Sequence, residues 1–157
     1  MPSRIIFFNH NLEIKGWTSL FTIMNNELGT NTQYVSRKQP PRIAIRSKGR
    51  ILFFSPSDVV SVEAQGNYVL LQRQFDSYLL RESISKAAEN LGLYGFVRIH
   101  RSVLVNSALV EEIQPCAAGD YAICLKGGRK YTVTRTYRKN LTLLAESWIG
   151  TGRFLAG

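Results

Sequence analysis

The sequence predicts a mainly β domain with small helices behind an N-terminal helical extension, and three observations carry that expectation. From residue 42 onward, short apolar-rich runs alternate with turns rich in Gly, Asn, Asp and Ser, the punctuation of antiparallel strands and hairpins. Only two stretches of that region space their apolar residues at the helical period. Upstream, a single amphipathic pattern is followed by a polar stretch closed by Pro40-Pro41, where proline removes backbone donors and turns its neighbour away from helix.

In the extension, residues 1–41, Trp17, Leu20, Phe21, Met24 and Leu28 recur at helical spacing, with Gly29 where a C-cap falls and a linker over 30–41. The apolar face of that helix needs a cover: its own domain, a second copy, or a partner. The domain itself is expected over 42–148. Its first hairpin joins 42–46 to 50–54 through Ser47-Lys48-Gly49, and the second joins 59–64 to 68–73 through Gln65-Gly66-Asn67. Another strand, 78–81, follows the turn Phe75-Asp76-Ser77. Ile84, Ala87, Ala88 and Leu91 then share one helical face, with Ser83 placed to cap it and Gly92 to end it. Strands at 109–113, 121–125 and 129–133 complete the set, turning at 117–120 and 126–128. Tyr137, Leu141, Leu144 and Trp148 define a second helical stripe, and 149–157 reads as a flexible Gly-rich tail. Both stripes in the domain are read as core.

At 157 residues and 17.8 kDa, with 45% hydrophobic and 20% charged residues, the chain has room for one domain and a short appendage, and wholesale disorder is excluded. The apolar run 17–24 is too short to cross a bilayer and no secretory leader pattern opens the chain, so a cytoplasmic protein without membrane attachment is expected. Cys116 and Cys124 lie eight apart, neither a disulfide scaffold nor a zinc spacing, and are expected reduced and buried. Catalysis finds little support. His10 and His100 are the only imidazoles, Asp occurs only at 58, 76 and 120, and no phosphate-binding, dinucleotide or zinc-protease motif is present. No enzyme, cofactor, metal or small-molecule substrate is expected.

The formal net charge is +9, and seven units of it belong to 41–157. Between Arg98 and Lys139, eight basic residues stand against three acidic ones. A polyanion is the natural partner of such a segment, although a solvated basic face has the same composition. Within it, 96–106 alternates: Val97, Ile99, Val103 and Val105 on one side, Arg98, His100 and Ser102 on the other, as in a strand-like ribbon with a hydrogen-bonding edge. Arginine grips guanine or phosphate with paired donors, which favours a contact role for Arg101. His100 fits a contact or a satisfied polar group equally well, and Asn106 reads as a turn former.

Four blocks in order, 62–69 (VEAQGNYV), 80–84 (LRESI), 96–106 (FVRIHRSVLVN) and 131–137 (YTVTRTY), resemble the bacterial LytTR DNA-binding domain, the likeness covering roughly 42–145. The resemblance implies an elongated β-β-β sandwich of antiparallel sheets whose loops, rather than a recognition helix, enter the major groove of double-stranded DNA. It places Asn67, His100, Arg101 and Arg135 at the bases and Tyr68 and Ser102 in supporting contacts. Lys139, one helical turn past Arg135, and Arg138 are placed to neutralise phosphates, with Lys130 a further backbone contact. Family members read tandem direct repeats with two protomers, so a homodimer on paired half-sites is implied. They commonly follow a phosphoreceiver domain; with about forty residues ahead of the domain and no Asp before Asp58, none is expected here. A protein-interaction module docking through the basic face and the N-terminal helix is the alternative, with single-stranded RNA binding third.

Overall fold

A computed structural model describes residues 40–145 in full and residues 5–7 as backbone. The helix expected over 17–28, the linker before residue 40, Trp148 and the tail at 149–157 lie outside the described residues. Eleven strands form three antiparallel sheets among the described residues. β1 (Ile5–Phe7), β2 (Ile43–Ser47) and β3 (Arg50–Phe54) make the first, in that order. β4 (Val59–Gln65), β5 (Tyr68–Arg73), β6 (Ser77–Leu80), β7 (Phe96–His100) and β8 (Val103–Asn106) make the central sheet, in the order β6-β5-β4-β8-β7. β9 (Val110–Pro115), β10 (Tyr121–Leu125) and β11 (Lys130–Val133) make the third, ordered β11-β10-β9. One α-helix, α1 (Ile84–Gly92), lies between β6 and β7, and its Ser83 Oγ accepts the Lys86 N–H at 3.1 Å, the cap expected from sequence.

The central sheet is buried on both faces, which is what makes the fold a three-layer β sandwich. On one side Val62, Val69, Leu71, Leu80 and Leu104 meet Ile43, Ile45 and Phe54 of the first sheet and Ala87 and Leu91 of α1. On the other, Val60, Val97, Ile99 and Val105 meet Ile123, Leu125, Val133 and Leu141. Strict alternation would put Val60 and Val62 on one face. A β-bulge prevents this: Val59 lies opposite Arg73 and Ser61 opposite Gln72, so Val60 is an extra residue and turns to the second core.

The first hairpin closes on two residues, Lys48 and Gly49, both at positive φ (49° and 74°), the mirror-image turn whose twist suits paired strands. β1, antiparallel to β2 with Ile6 opposite Ala44, has no counterpart in the sequence expectations, because three residues carry no usable periodicity.

Three expectations are corrected. Segment 96–106 is not one ribbon but a hairpin: Val97 lies opposite Val105, His100 opposite Val103, and the chain reverses at Arg101-Ser102. The apolar set 97, 99, 103 and 105 still shares one core: Val97 and Val105 lie opposite each other and share a face, and the bulge at Ile99 turns it into the core that Val103 packs against. The last helical stripe is a 3-10 helix, Arg135–Leu144, rather than an α-helix. Thr136 and Thr142 are poor α formers, and the Thr142 hydroxyl donates back to the Lys139 carbonyl at 2.9 Å, a three-residue reach. Neither cysteine is fully buried: Cys116 is exposed where β9 ends, and Cys124 is half-buried between the inward-facing Ile123 and Leu125.

Candidate nucleic-acid interface

Three connections meet at one end of the central sheet. The β4–β5 turn, Gly66-Asn67, follows the pair Gln65–Tyr68, and Gly66 takes a positive φ of 60° that suits glycine. The β7–β8 turn, Arg101-Ser102, lies beside it, since the Ala64 N–H donates to the Ser102 carbonyl at 2.8 Å. The end of β11 docks there too: the Thr134 N–H reaches the Ile99 carbonyl at 3.3 Å, and Asn140 Nδ2 donates to the Arg98 carbonyl at 2.8 Å. Asn67, Tyr68, His100, Arg101, Ser102 and the 3-10 segment that starts at Arg135 are thereby gathered from three distant parts of the sequence. Lys130 is not among them. It opens β11, about 10 Å of strand from Val133, on the side of the β10–β11 turn.

The gathered residues divide by what they already hold. Asn67, Arg101 and Lys139 are exposed, and no hydrogen bond or ion pair engages their side chains among the described residues. Tyr68, 38% exposed, presents its ring beside Asn67 at the start of β5. His100 and Ser102 are partners: Nδ1 lies 2.7 Å from the Ser102 hydroxyl and accepts the Ser102 N–H at 3.2 Å. A backbone N–H can only donate, so Nδ1 accepts and Nε2 carries the ring hydrogen. The structure shows the satisfied-polar role of His100, which fastens the turn, while its Nε2–H has no partner among the described residues.

Arg135 donates Nε–H to the Ala118 carbonyl at 2.8 Å, and its Nη2 reaches the same oxygen. Arg138 donates from Nη2 to the Tyr121 hydroxyl at 3.2 Å and lies over that ring, 5.2 Å from its centroid. A 3-10 helix has three residues per turn, so the residue one turn past Arg135 is Arg138, and both face the β9–β10 connection. Lys139, expected one turn past Arg135 on an α-helical count, instead points away into solvent.

The ion pairs among the described residues, Arg73–Asp76 at 2.9 Å and Lys86–Glu89 at 3.0 Å, involve none of this group. Arg101, Arg135, Arg138 and Lys139 therefore add their charges at one end without a direct carboxylate partner, the field that draws a polyanion. Among the described residues no group of three or more His, Cys, Asp or Glu stands together as a metal site, and no helix is long and apolar enough to cross a membrane.

Two residues near the site were not singled out from the sequence. Arg98 sends its guanidinium under the β7–β8 turn, and Arg81 leaves β6 one residue past the Leu80–Val69 pair, exposed near Tyr68. The alternation of 96–106 marks Arg98 as polar-facing but not what it holds. Only strand register puts Arg81 beside the β4–β5 turn.

Residues 49–145 match the family described as the LytTr DNA-binding domain. Among curated proteins, the chain is 27% identical over 113 residues to the sensory transduction protein LytT of Bacillus subtilis, covering 72% of this chain and 47% of that protein. It is 26% identical over 127 residues to LytT of Enterococcus faecalis, covering 78% of this chain and 52% of that protein. The chain thus spans about half the length of the curated relatives it matches. Among solved structures, a LytTr DNA-binding domain from Bacillus cereus superposes with a TM-score of 0.58 at 18% identity, over 66% of this chain and 94% of that one, a likeness of fold.

Proposed function

The chain belongs to the LytTr DNA-binding domain family, and on that premise we propose that it is a cytoplasmic bacterial transcription regulator that binds double-stranded DNA sequence-specifically. Its loops enter the major groove of tandem direct repeats, with one protomer on each half-site. The observation that carries this reading is the convergence of the β4–β5 turn, the β7–β8 turn and the start of the 3-10 segment at one unpaired basic end.

Arg101 and Arg135 read bases, because the guanidinium fork matches guanine O6 and N7. Asn67 and the Nε2 hydrogen of His100 offer further groups to base edges. Tyr68, Ser102, Arg138 and Lys139 set the register on the phosphate backbone. Lys130, at the other end of β11, belongs to a longer path of DNA or to the solvated face.

Selection from a randomised duplex library, repeated across salt concentrations, tests the proposal. Enrichment of spaced direct repeats, with affinity falling steeply as salt rises, is the expected result. Salt-sensitive binding without enrichment would reduce the function to charge-driven association, and the absence of duplex binding at low salt would overturn it.

A further inference from the structure

We infer that Arg98 is a positioning residue: it clamps the Arg101-Ser102 turn from beneath and so governs how sharply Arg101 discriminates between bases, rather than how strongly the protein holds DNA. The inference rests on the DNA-reading role proposed for that turn. Its basis is a set of contacts that converge on one half-buried guanidinium. Nη2 donates to the Arg101 carbonyl at 2.5 Å and Nε to the His100 carbonyl at 3.3 Å, so consecutive carbonyls of the reversal are held by one planar group. Nη1 reaches the Ser85 hydroxyl of α1 at 3.3 Å, and the guanidinium carbon lies 5.5 Å from the centroid of the Tyr137 ring. The Arg98 carbonyl, in turn, accepts from Asn140 at 2.8 Å.

The turn needs such a clamp. It has no Gly, Pro or Asn to set its backbone angles, and β7 is irregular just before it, where Ile99 is an extra residue opposite Val103. The carbonyls that Arg98 holds belong to the residues flanking and forming the reversal. The same guanidinium ties that reversal to α1 and to the 3-10 segment carrying Arg135 and Lys139, so the parts of the interface keep a common geometry. With Nε, Nη1 and Nη2 all engaged within the protein, Arg98 is committed to holding rather than to meeting a phosphate. A lysine here would keep the charge but lose the fork, and one ammonium cannot reproduce in-plane bonds to two carbonyls and a hydroxyl.

The test uses the full chain with Arg98→Lys, and with Ser85→Ala as a milder variant that leaves both carbonyl bonds possible should Arg98→Lys fail to fold. In DNA-free protein, amide hydrogen exchange at residues 100–103 is expected to quicken by roughly tenfold in Arg98→Lys, and by less in Ser85→Ala, while exchange in the central strands stays unchanged. Affinity for the library-selected duplex is expected to fall roughly tenfold, with affinity for a random duplex of equal length and the salt slope both retained. In an Arg101→Ala background, Arg98→Lys is expected to add no further loss. Unchanged exchange at the turn, equal losses on both duplexes, or additive losses with Arg101→Ala would each overturn the inference. If the wild-type protein selects no sequence, the reading of the site fails, whereas the exchange measurement, which involves no DNA, still decides whether Arg98 holds the turn.

Discussion

Arg101 and Arg135 carry the same side chain at the same end of the molecule but in different states. Arg101 is unengaged, whereas Arg135 is docked on the Ala118 carbonyl, so Arg135 has less rotamer freedom to lose when it meets a base. Replacing either by Ala is expected to cost about 1–3 kcal/mol on the selected duplex and to relax preference at one base pair. Lys139→Ala should instead weaken selected and random duplexes alike and lower the salt slope by about one unit. Competition titrations at several salt concentrations separate these outcomes, and equal behaviour of the three variants would refute the division of roles. Asn106 shows the opposite case, a residue inside the family-like block that works for the fold. It is 3% exposed, donates to the carbonyls of Pro56 and Val59 at 3.2 and 3.0 Å, and accepts from the Ala108 N–H at 3.1 Å. Asn106→Ala is expected to destabilise by about 2 kcal/mol or more, because the buried Val59 carbonyl and the half-buried Pro56 carbonyl lose their donor. Urea denaturation would show this, and protein that remains folded should keep its ratio of selected to random binding.

At the scale of elements, what the sequence made legible is what local rules govern. The first two hairpins, the three strands of the last sheet and the capped α1 all stand where turn residues and periodicity put them. Ser83→Ala is expected to cost about 1 kcal/mol, read as a lower thermal midpoint, since the Lys86 N–H then loses its acceptor. What stayed hidden was set by contacts distant in sequence. The Arg101-Ser102 reversal carries no breaker residue, so its alternation read straight through. The 3-10 twist of Arg135–Leu144 keeps the spacing of a helical stripe while moving Arg138, rather than Lys139, into line with Arg135. The candidate site was legible as a set of residue types in family-like blocks. That Lys130 stands apart, and that Arg98 and Arg81 stand close, depends on register, which spacing along the chain does not encode.

Across the whole molecule, two cores share one central sheet, so the third sheet must be fastened to that sheet for β11 to deliver Arg135 to the interface. Apolar packing does most of this, and a polar bridge through Tyr131 adds direction. The Tyr131 hydroxyl of β11 donates to Glu63 Oε1 of β4 at 2.7 Å and lies 2.8 Å from the hydroxyl of Ser61, a fully buried residue of the same strand. Burial raises the pKa of Tyr131 above its ordinary 10.0; the Ser61 hydrogen bond partly opposes this, and the nearby Glu63 carboxylate reinforces it. The unfolded chain then releases this proton at a lower pH than the folded one. The stability linked to the proton is therefore complete below the ordinary value and declines as pH rises through it towards the folded value. Tyr131→Phe should lose about 1–2 kcal/mol at neutral pH, because Ser61 is left buried without its partner, yet show a shallower alkaline decline than the wild type. Urea midpoints of both proteins, taken from about pH 8 to about pH 11, measure the difference directly. Parallel curves would mean that the hydroxyl proton plays no part in holding the third sheet, and that the apolar contacts of Ile123, Leu125 and Val133, with the Thr134–Ile99 and Asn140–Arg98 hydrogen bonds, keep Arg135 in place.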